Sequence, residues 1–430
     1  MDGLSIQGMV AVKPIHILIF VAFIAGLLAS PAVSPPATVT STLTSRESVT
    51  VPTTITVTPP PVTRTEATTI SATTTVTATL TETVTHNPYQ GIPLKLEVRE
   101  SRLFGITVFD GYRVVRDALN RTLVLVPRGM SPPQDVEGVV VYVPVERVVL
   151  MSATHVALLE RLRDINPEIL GRVAGIMWGR EYTWYFEDVK SLLESGVIKD
   201  VGPSWNPSIE ELLALKPDLV IIYTFPGSDI PAKLDEYRIP YAVDNEYLES
   251  TVLGRFEWIK FIATFFDMDR EAYEIYSAVE QTVRDVVDYV KSAEQPLVCW
   301  FMVYRGTVYA AGGRSFPANT LAMLNARYGF ADTDSTGSIT TNAEELLTRC
   351  RDADVVIYPT SFVSGLGDVL RELPELSNIK AFKDGRVYAY RDNIYQLGYY
   401  DTEGYVLDLA AILHPSLHEG YELSYFTRLE

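Results

Sequence analysis

The chain has 430 residues, nearly half of them apolar, and a formal net charge of −18. That length allows two or three domains with a large core, and the acidic balance argues against non-specific nucleic-acid binding, which draws its affinity from neutralising phosphates. Two cysteines, Cys299 and Cys350, with no Cys-x-x-Cys or Cys/His cluster, set a zinc site aside, and in an exported chain the two could pair.

The first 33 residues form a segment of their own. Residues 15–29, IHILIFVAFIAGLLA, are apolar except His16 and follow Lys13. They read as a signal peptide or a slightly short membrane anchor, with retention as an uncleaved anchor preferred. No cysteine follows closely, which excludes a bacterial-type lipid anchor. Residues 34–92 are dominated by threonine, with Val, Pro and Ser between and almost no aromatics. Such a stretch cannot bury enough apolar surface to offset chain entropy, and it reads as a flexible, O-glycosylated-type stalk. Residues 93–143 alternate as strands do, for example in RTLVLVP, and form a β-rich extension with one N-glycosylation sequon at Asn120.

From residue 144 to 269 short buried strands alternate with helices, the signature of a parallel α/β sheet. Strands are predicted at 147–151, 173–179 and 240–243 and in the apolar run after Asp218 that ends in Tyr223 and Thr224, with helices at 155–162 and 186–195. The unit at 208–225, SIEELLALKPDLVIIYTF, returns in altered form at 342–362, NAEELLTRCRDADVVIYPTSF. Each copy opens on a cap residue, Ser208 or Asn342, with Glu211 or Glu345 three positions on, which is capping-box spacing. Two copies predict two similar α/β lobes facing each other across a cleft. Residues 270–293 repeat apolar side chains at helical spacing without Gly or Pro, so one stiff helix of about 36 Å joins the lobes. The second lobe, 294–430, has strands at 297–304 and 387–390 and helices at 319–325 and 402–413.

Ligands of parallel sheets gather at the carboxyl ends of strands. Trp178, Arg180, Trp205, Tyr223 and Phe225 lie there in the first lobe, and Arg305, Arg314, Phe362 and Arg391 in the second. Aromatics with arginines suit a large, partly flat, partly anionic ligand. Gly312-Gly313 precedes a helix and could cradle a phosphate, but neither GxxxxGK[ST] nor GxGxxG is present. His155 reads as a solvent-facing or capping residue rather than a metal ligand, and His414 and His418, split by Pro415, make a poor metal pair. No metal site or cofactor is assigned, and no nucleophile–base pair points to an enzyme.

The segments VERVVLMSATHVALLE, NPSIEELLALKPDLVIIY, GGRSFPANTLAML, AFKDGRVYAY and AILHPSL, together with the uninterrupted helix, resemble the substrate-binding proteins of ABC importers for iron–siderophore, haem and cobalamin. The resemblance implies a ligand held between two α/β lobes and delivery to a permease served by ATPase subunits. It also implies docking of one glutamate per lobe, at the positions of Glu210 and Glu344, on permease arginines. The expected ligand is a ferric chelate, with cobalamin or haem as alternatives, and the expected place is the outer face of an archaeal cell membrane. A tethered sensor or adhesion ectodomain reusing the fold is the rival from another class.

Overall fold

The computed structural model describes residues 97–430, so the apolar N-terminal run and the threonine-rich stretch lie outside the described residues. The described chain opens with Gly105–Phe109 (β1), Tyr112–Arg116 (β2), Thr122–Pro127 (β3) and Val139–Val143 (β4), which form one sheet. The first three strands are antiparallel and β4 lies parallel to β3. Left-handed backbone at Gly111 and at exposed Asn120 permits the two tight reversals. Alternation in β2 points Arg113 and Val115 inward. Arg113 is fully buried and pairs with Asp267 and Asp269. Nearby, the buried Glu257 carboxylate accepts the backbone N–H groups of Arg99, Glu100 and Ser101 at 2.7–3.1 Å and the Lys260 ammonium at 2.5 Å. Charged hydrogen bonds of this kind fasten the extension to the first lobe.

The first lobe runs Val148–Leu150 (β5), Ala153–Arg163 (α1), Val173–Ile176 (β6), Glu187–Glu194 (α2), Lys199–Asp200 (β7), Ile209–Leu215 (α3), Leu219–Ile222 (β8), Ile230–Glu236 (α4), Tyr241–Val243 (β9), Val252–Phe256 (α5) and Trp258–Thr264 (α6). Its five strands are all parallel, in the order β7-β6-β5-β8-β9. Every residue of β5, β6 and β8 is buried, as a sheet covered on both faces demands. The order reverses between β5 and β8. The connections leave that point in opposite directions and open a crevice at the strands' carboxyl ends.

Asp269–Val290 (α7) is one unbroken helix of 22 residues, about 33 Å long. It buries Ala272, Tyr276, Val279, Val283, Val286 and Val290 along one stripe. It ends three residues before the sequence pattern suggests, because the Asn325 amide takes the carbonyls of Val290 and Ala293 at 3.0 Å each.

The second lobe follows with Leu297–Tyr304 (β10), Thr307–Ala311 (β11), Phe316–Met323 (α8), Arg327–Tyr328 (β12), Ser338–Thr341 (β13), Ala343–Cys350 (α9), Val355–Tyr358 (β14), Leu366–Glu372 (α10), Lys380–Lys383 (α11), Val387–Tyr390 (β15), Leu397–Tyr400 (α12), Thr402–Leu413 (α13) and Phe426–Arg428 (β16). Strands β12, β10, β14 and β15 are parallel; β11 and β16 pair antiparallel with β10 and β15, and β13 pairs antiparallel with β11 and so points the same way as β10. This sheet is therefore mixed. The cause is local: Arg305 at φ 50° and Gly306 at φ 77° make a two-residue hairpin that sends β10 straight back as β11. Helix α7 packs on α6 of the first lobe and on α13 of the second, which makes it the shared rod. Cys299 of β10 is bonded to Cys350 at the end of α9, with Cα atoms 5.9 Å apart. Gly329 lies against this bond, and a Cβ there would sit 2.7 Å from the Cys299 sulfur.

Candidate functional site

The floor of the first-lobe crevice is built from three strand ends. After β5, Ser152 caps α1 by accepting the Thr154 N–H, and this places Thr154 and His155 in the first turn. After β8 come Tyr223 and Thr224. After β9 come Asp244, Asn245 and Glu246. Asn245 ties the second and third ends together, accepting the Thr224 N–H at 2.8 Å and donating to its hydroxyl at 2.9 Å. Tyr247 donates to the Thr224 carbonyl at 2.6 Å.

His155, Asp244 and Glu246 converge within this floor, fully or almost fully buried, with one ligating atom from each inside a 4.8 Å span. His155 is therefore neither solvent-facing nor a cap, contrary to the sequence reading, since Ser152 supplies the cap and packing encloses the ring. Burial drives its pKa down to about 3, only partly offset by the Asp244 and Ile221 carbonyls, so the imidazole is neutral. Burial pushes both carboxyls above the usual range. The neighbouring Glu246 charge adds to the rise at Asp244, and the Thr154 hydroxyl pulls Glu246 partly back.

The two lobes meet over this floor. Gln396, buried just before α12, donates to the Thr183 carbonyl at 2.8 Å and accepts the Tyr185 N–H at 3.0 Å. Arg255 of α5 donates to the Tyr399 hydroxyl at 3.2 Å and stacks 3.7 Å over the Phe316 ring. Arg161 pairs with Glu403 at 2.5 Å, and Tyr400 donates to Asp164. Tyrosines crowd the seam: Tyr390 and Tyr395 touch at 6.1 Å, and Phe316 lies 6.1 Å from Tyr405. Burial raises these phenols, Tyr182 and Tyr399 to about 12, so they stay neutral donors.

Of the residues expected at the site, Trp178 and Trp205 are brought edge to face at 4.7 Å. Tyr182 extends the cluster, 6.2 Å from Trp178 and 5.4 Å from Trp184. Trp178 is held at φ 45°, an uncommon backbone for a bulky side chain and a mark of local strain. The indole N–H groups of Trp178 and Trp184 are buried without acceptors. Tyr223 lies 6.2 Å from Phe225 and bonds Ser204 at 2.8 Å. The arginines are dispersed. Arg180 is exposed, and Arg305 occupies the hairpin tip with its N–H on Glu372. Arg314 pairs with Asp334 at 2.8 Å, and Arg391 donates to the Phe426 carbonyl at 2.9 Å. Phe362 is exposed. The arginines that reach between the lobes are Arg161 and Arg255, which sequence reasoning missed because helices, not strand ends, carry them. Gly312 and Gly313 cradle no phosphate: a Cβ at either would strike the carbonyls of Ser335, Ala331 or Thr333 within 2.5 Å. The His414 ring is engaged with the Leu324 carbonyl at 2.8 Å.

Glu210 and Glu344 occupy the second positions of α3 and α9, exposed, and neither carboxylate has an ion-pair partner among the described residues. The caps form as expected, Ser208 accepting the Glu211 N–H at 3.2 Å and Asn342 the Glu345 N–H at 2.9 Å. The reciprocal arm of the capping box is absent in both copies among the described residues. The Ser208 N–H bonds Val201, and the Glu345 carboxylate goes to Thr341 and Arg349 instead. Ser208→Ala and Asn342→Ala are each expected to lower unfolding free energy by about 1 kcal/mol, read from denaturant midpoints.

A model of the periplasmic binding protein family matches residues 177–394. An uncharacterized lipoprotein of Methanocaldococcus jannaschii is 36% identical over 291 residues, 67% of this chain and 70% of its own length. A second lipoprotein of that organism is 27% identical over 75% of this chain and 83% of its own. Among solved structures, a Staphylococcus epidermidis protein described as a possible iron-binding, periplasmic solute-binding protein aligns with TM-score 0.51 at 20% identity, over 63% of this chain and 99% of its own. A periplasmic heme binding protein of Pseudomonas aeruginosa aligns with TM-score 0.50 at 17% identity, over 63% and 94%.

Proposed function

This chain belongs to the periplasmic binding protein family, and on that premise we propose that it is the extracytoplasmic substrate-binding subunit of an ABC importer. In this reading it captures an iron–siderophore-type chelate between its lobes and hands it to a permease energised by cytosolic ATPase subunits. The N-terminal apolar segment would hold it at the outer face of the membrane, and the Cys299–Cys350 bond suits that oxidising side.

The observation that supports the ligand class is a set of buried donors beside the aromatic rings. Two buried indole N–H groups lack acceptors, Arg255 supplies a guanidinium, and the neutral phenols supply hydroxyls. An unpaired buried donor costs about 1–3 kcal/mol, which an acceptor-rich guest would return. A chelate whose metal is wrapped in anionic oxygens fits that demand, and the aromatic rings would cover its apolar faces. Haem or a corrinoid is the second reading, favoured by the number of rings available to a flat macrocycle.

A thermal-shift and tryptophan-quenching screen of the full-length chain against ferric chelates, haem and cobalamin separates these readings. Stabilisation by a ferric chelate alone supports the first, and stabilisation by a macrocycle alone the second. Stabilisation by none would favour a sensor or adhesion role. Trp178→Phe keeps most of the ring and removes the N–H. It is expected to weaken chelate binding about tenfold, and an unchanged affinity would show that this donor is not used.

A further inference from the structure

We propose that His155, Asp244 and Glu246 form a binding site for a divalent transition-metal ion on the floor of the first lobe. The site goes beyond the chelate reading, since it would take a bare cation on protein ligands.

The three residues come from two strand ends, β5 through α1 and β9, which flank the end of β8 beside the point where the strand order reverses. The His155 Nε2 lies 3.7 Å from Asp244 Oδ2. Two ligands bound at 2.0–2.2 Å to a tetrahedral ion sit about 3.4 Å apart, so this pair already has the spacing of a coordination edge. All three ligating atoms share a 4.8 Å span, which an ion would draw in slightly.

The arrangement around them is that of a supported metal site. Each carboxylate has one oxygen fixed by a neighbour and one left over. Asp244 Oδ1 accepts the Glu246 N–H at 3.0 Å, while Oδ2 receives no hydrogen bond. Glu246 Oε1 accepts the Thr154 hydroxyl at 2.6 Å, while Oε2 receives none. Thr154 is itself held by Ser152 at 2.7 Å. Neither ring nitrogen of His155 makes a hydrogen bond of good geometry, the Asp244 and Ile221 carbonyls being its polar neighbours. Outer partners that orient ligating atoms and leave their lone pairs free are the usual second layer of a metal centre.

The chemistry of the set narrows the ion. One imidazole and two carboxylates suit Zn²⁺, Mn²⁺, Fe²⁺ or Co²⁺; the absence of thiolate disfavours Cu⁺, and the imidazole disfavours Mg²⁺ and Ca²⁺. Three protein ligands leave a fourth position for water or a guest oxygen. The site borders the seam: Tyr247, next to Glu246, accepts through its carbonyl at 2.7 Å from Arg255, which also donates to the Tyr399 hydroxyl of the other lobe at 3.2 Å.

The competing account is a proton shared by Asp244 and Glu246 beside a histidine that merely fills the core. Untagged full-length protein, stripped with a chelator and titrated with Co²⁺, separates the two. One equivalent of bound Co²⁺, with visible ligand-field bands and one hyperfine-shifted imidazole, is the expected result. His155→Gln and Glu246→Gln should each weaken Co²⁺ binding by about 100-fold or more. The wild-type imidazole signal tests the site even if a variant fails to fold. No binding at millimolar Co²⁺, binding unchanged in folded variants, or a spectrum without histidine would overturn the proposal. Ferric chelate titrated into the same stripped wild-type protein reads the receptor function separately, so either claim can fail alone.

Discussion

Replacing Cys299 and Cys350 together by alanine is expected to destabilise the second lobe by about 4 kcal/mol, the chain entropy regained when a cross-link between residues 51 positions apart is cut. Both sulfurs are fully buried, so no exposed thiol chemistry complicates the comparison. The bond joins the central strand β10 to the last turn of α9, and so fastens that helix at the end opposite to Glu344. Its packing leaves little slack, since Gly329 already approaches within contact distance of Cys299. The check is urea unfolding of the oxidised protein and the double variant, followed by fluorescence. A loss below about 1 kcal/mol would mean that the packing of Leu346 and its neighbours holds α9 without help. Reduction of the wild type with dithiothreitol should reproduce the variant's midpoint.

What could be read from the sequence was whatever repeats with a period. The buried strands, the paired helix–strand units and the long helix are all periodic signals, and each appears within a few residues of where the pattern puts it. Leu297–Tyr304, Val387–Tyr390 and Thr402–Leu413 match their expected bounds residue for residue. What escaped depends on contacts between distant segments. The mixed character of the second sheet turns on Arg305 adopting left-handed backbone, and arginine gives no warning of that as glycine would. Helices α5 and α6 abut and are nearly all buried, so they carry no polar face to set a period. Arg255 was passed over for the same reason. His155 lies about 90 positions before Asp244 and Glu246, and they meet only because β5 and β9 belong to one sheet. The signal that points to them is position: all three lie in segments that follow buried strands, on the side where a parallel sheet gathers ligands.

Reversing the charge of both Glu210 and Glu344 to arginine is expected to reduce chelate uptake to background while leaving chelate affinity within about twofold. The two carboxylates stand at equivalent places, the second position of a short capped helix, one in each lobe. The free N–H groups of the first turn favour negative charge there, by about 0.3–1 kcal/mol at each helix. Helix stability alone would explain a glutamate at that position. It does not explain why both stay exposed and unpaired among the described residues while the adjacent Glu345 is drawn to Arg349. Under the proposed importer role, a pair of fixed, solvated anions, one per lobe, would suit docking on permease arginines. Like-charge contacts across such an interface cost several kcal/mol, so two reversals together should prevent docking rather than weaken it. The local cost to each helix is small, and neither residue belongs to the aromatic seam, so ligand capture should persist. Uptake by vesicles containing the permease, measured beside equilibrium binding to the isolated receptor, distinguishes the two effects. Undiminished uptake by the double variant would remove the docking claim, and a parallel loss of binding would move these glutamates from the permease surface to the ligand site.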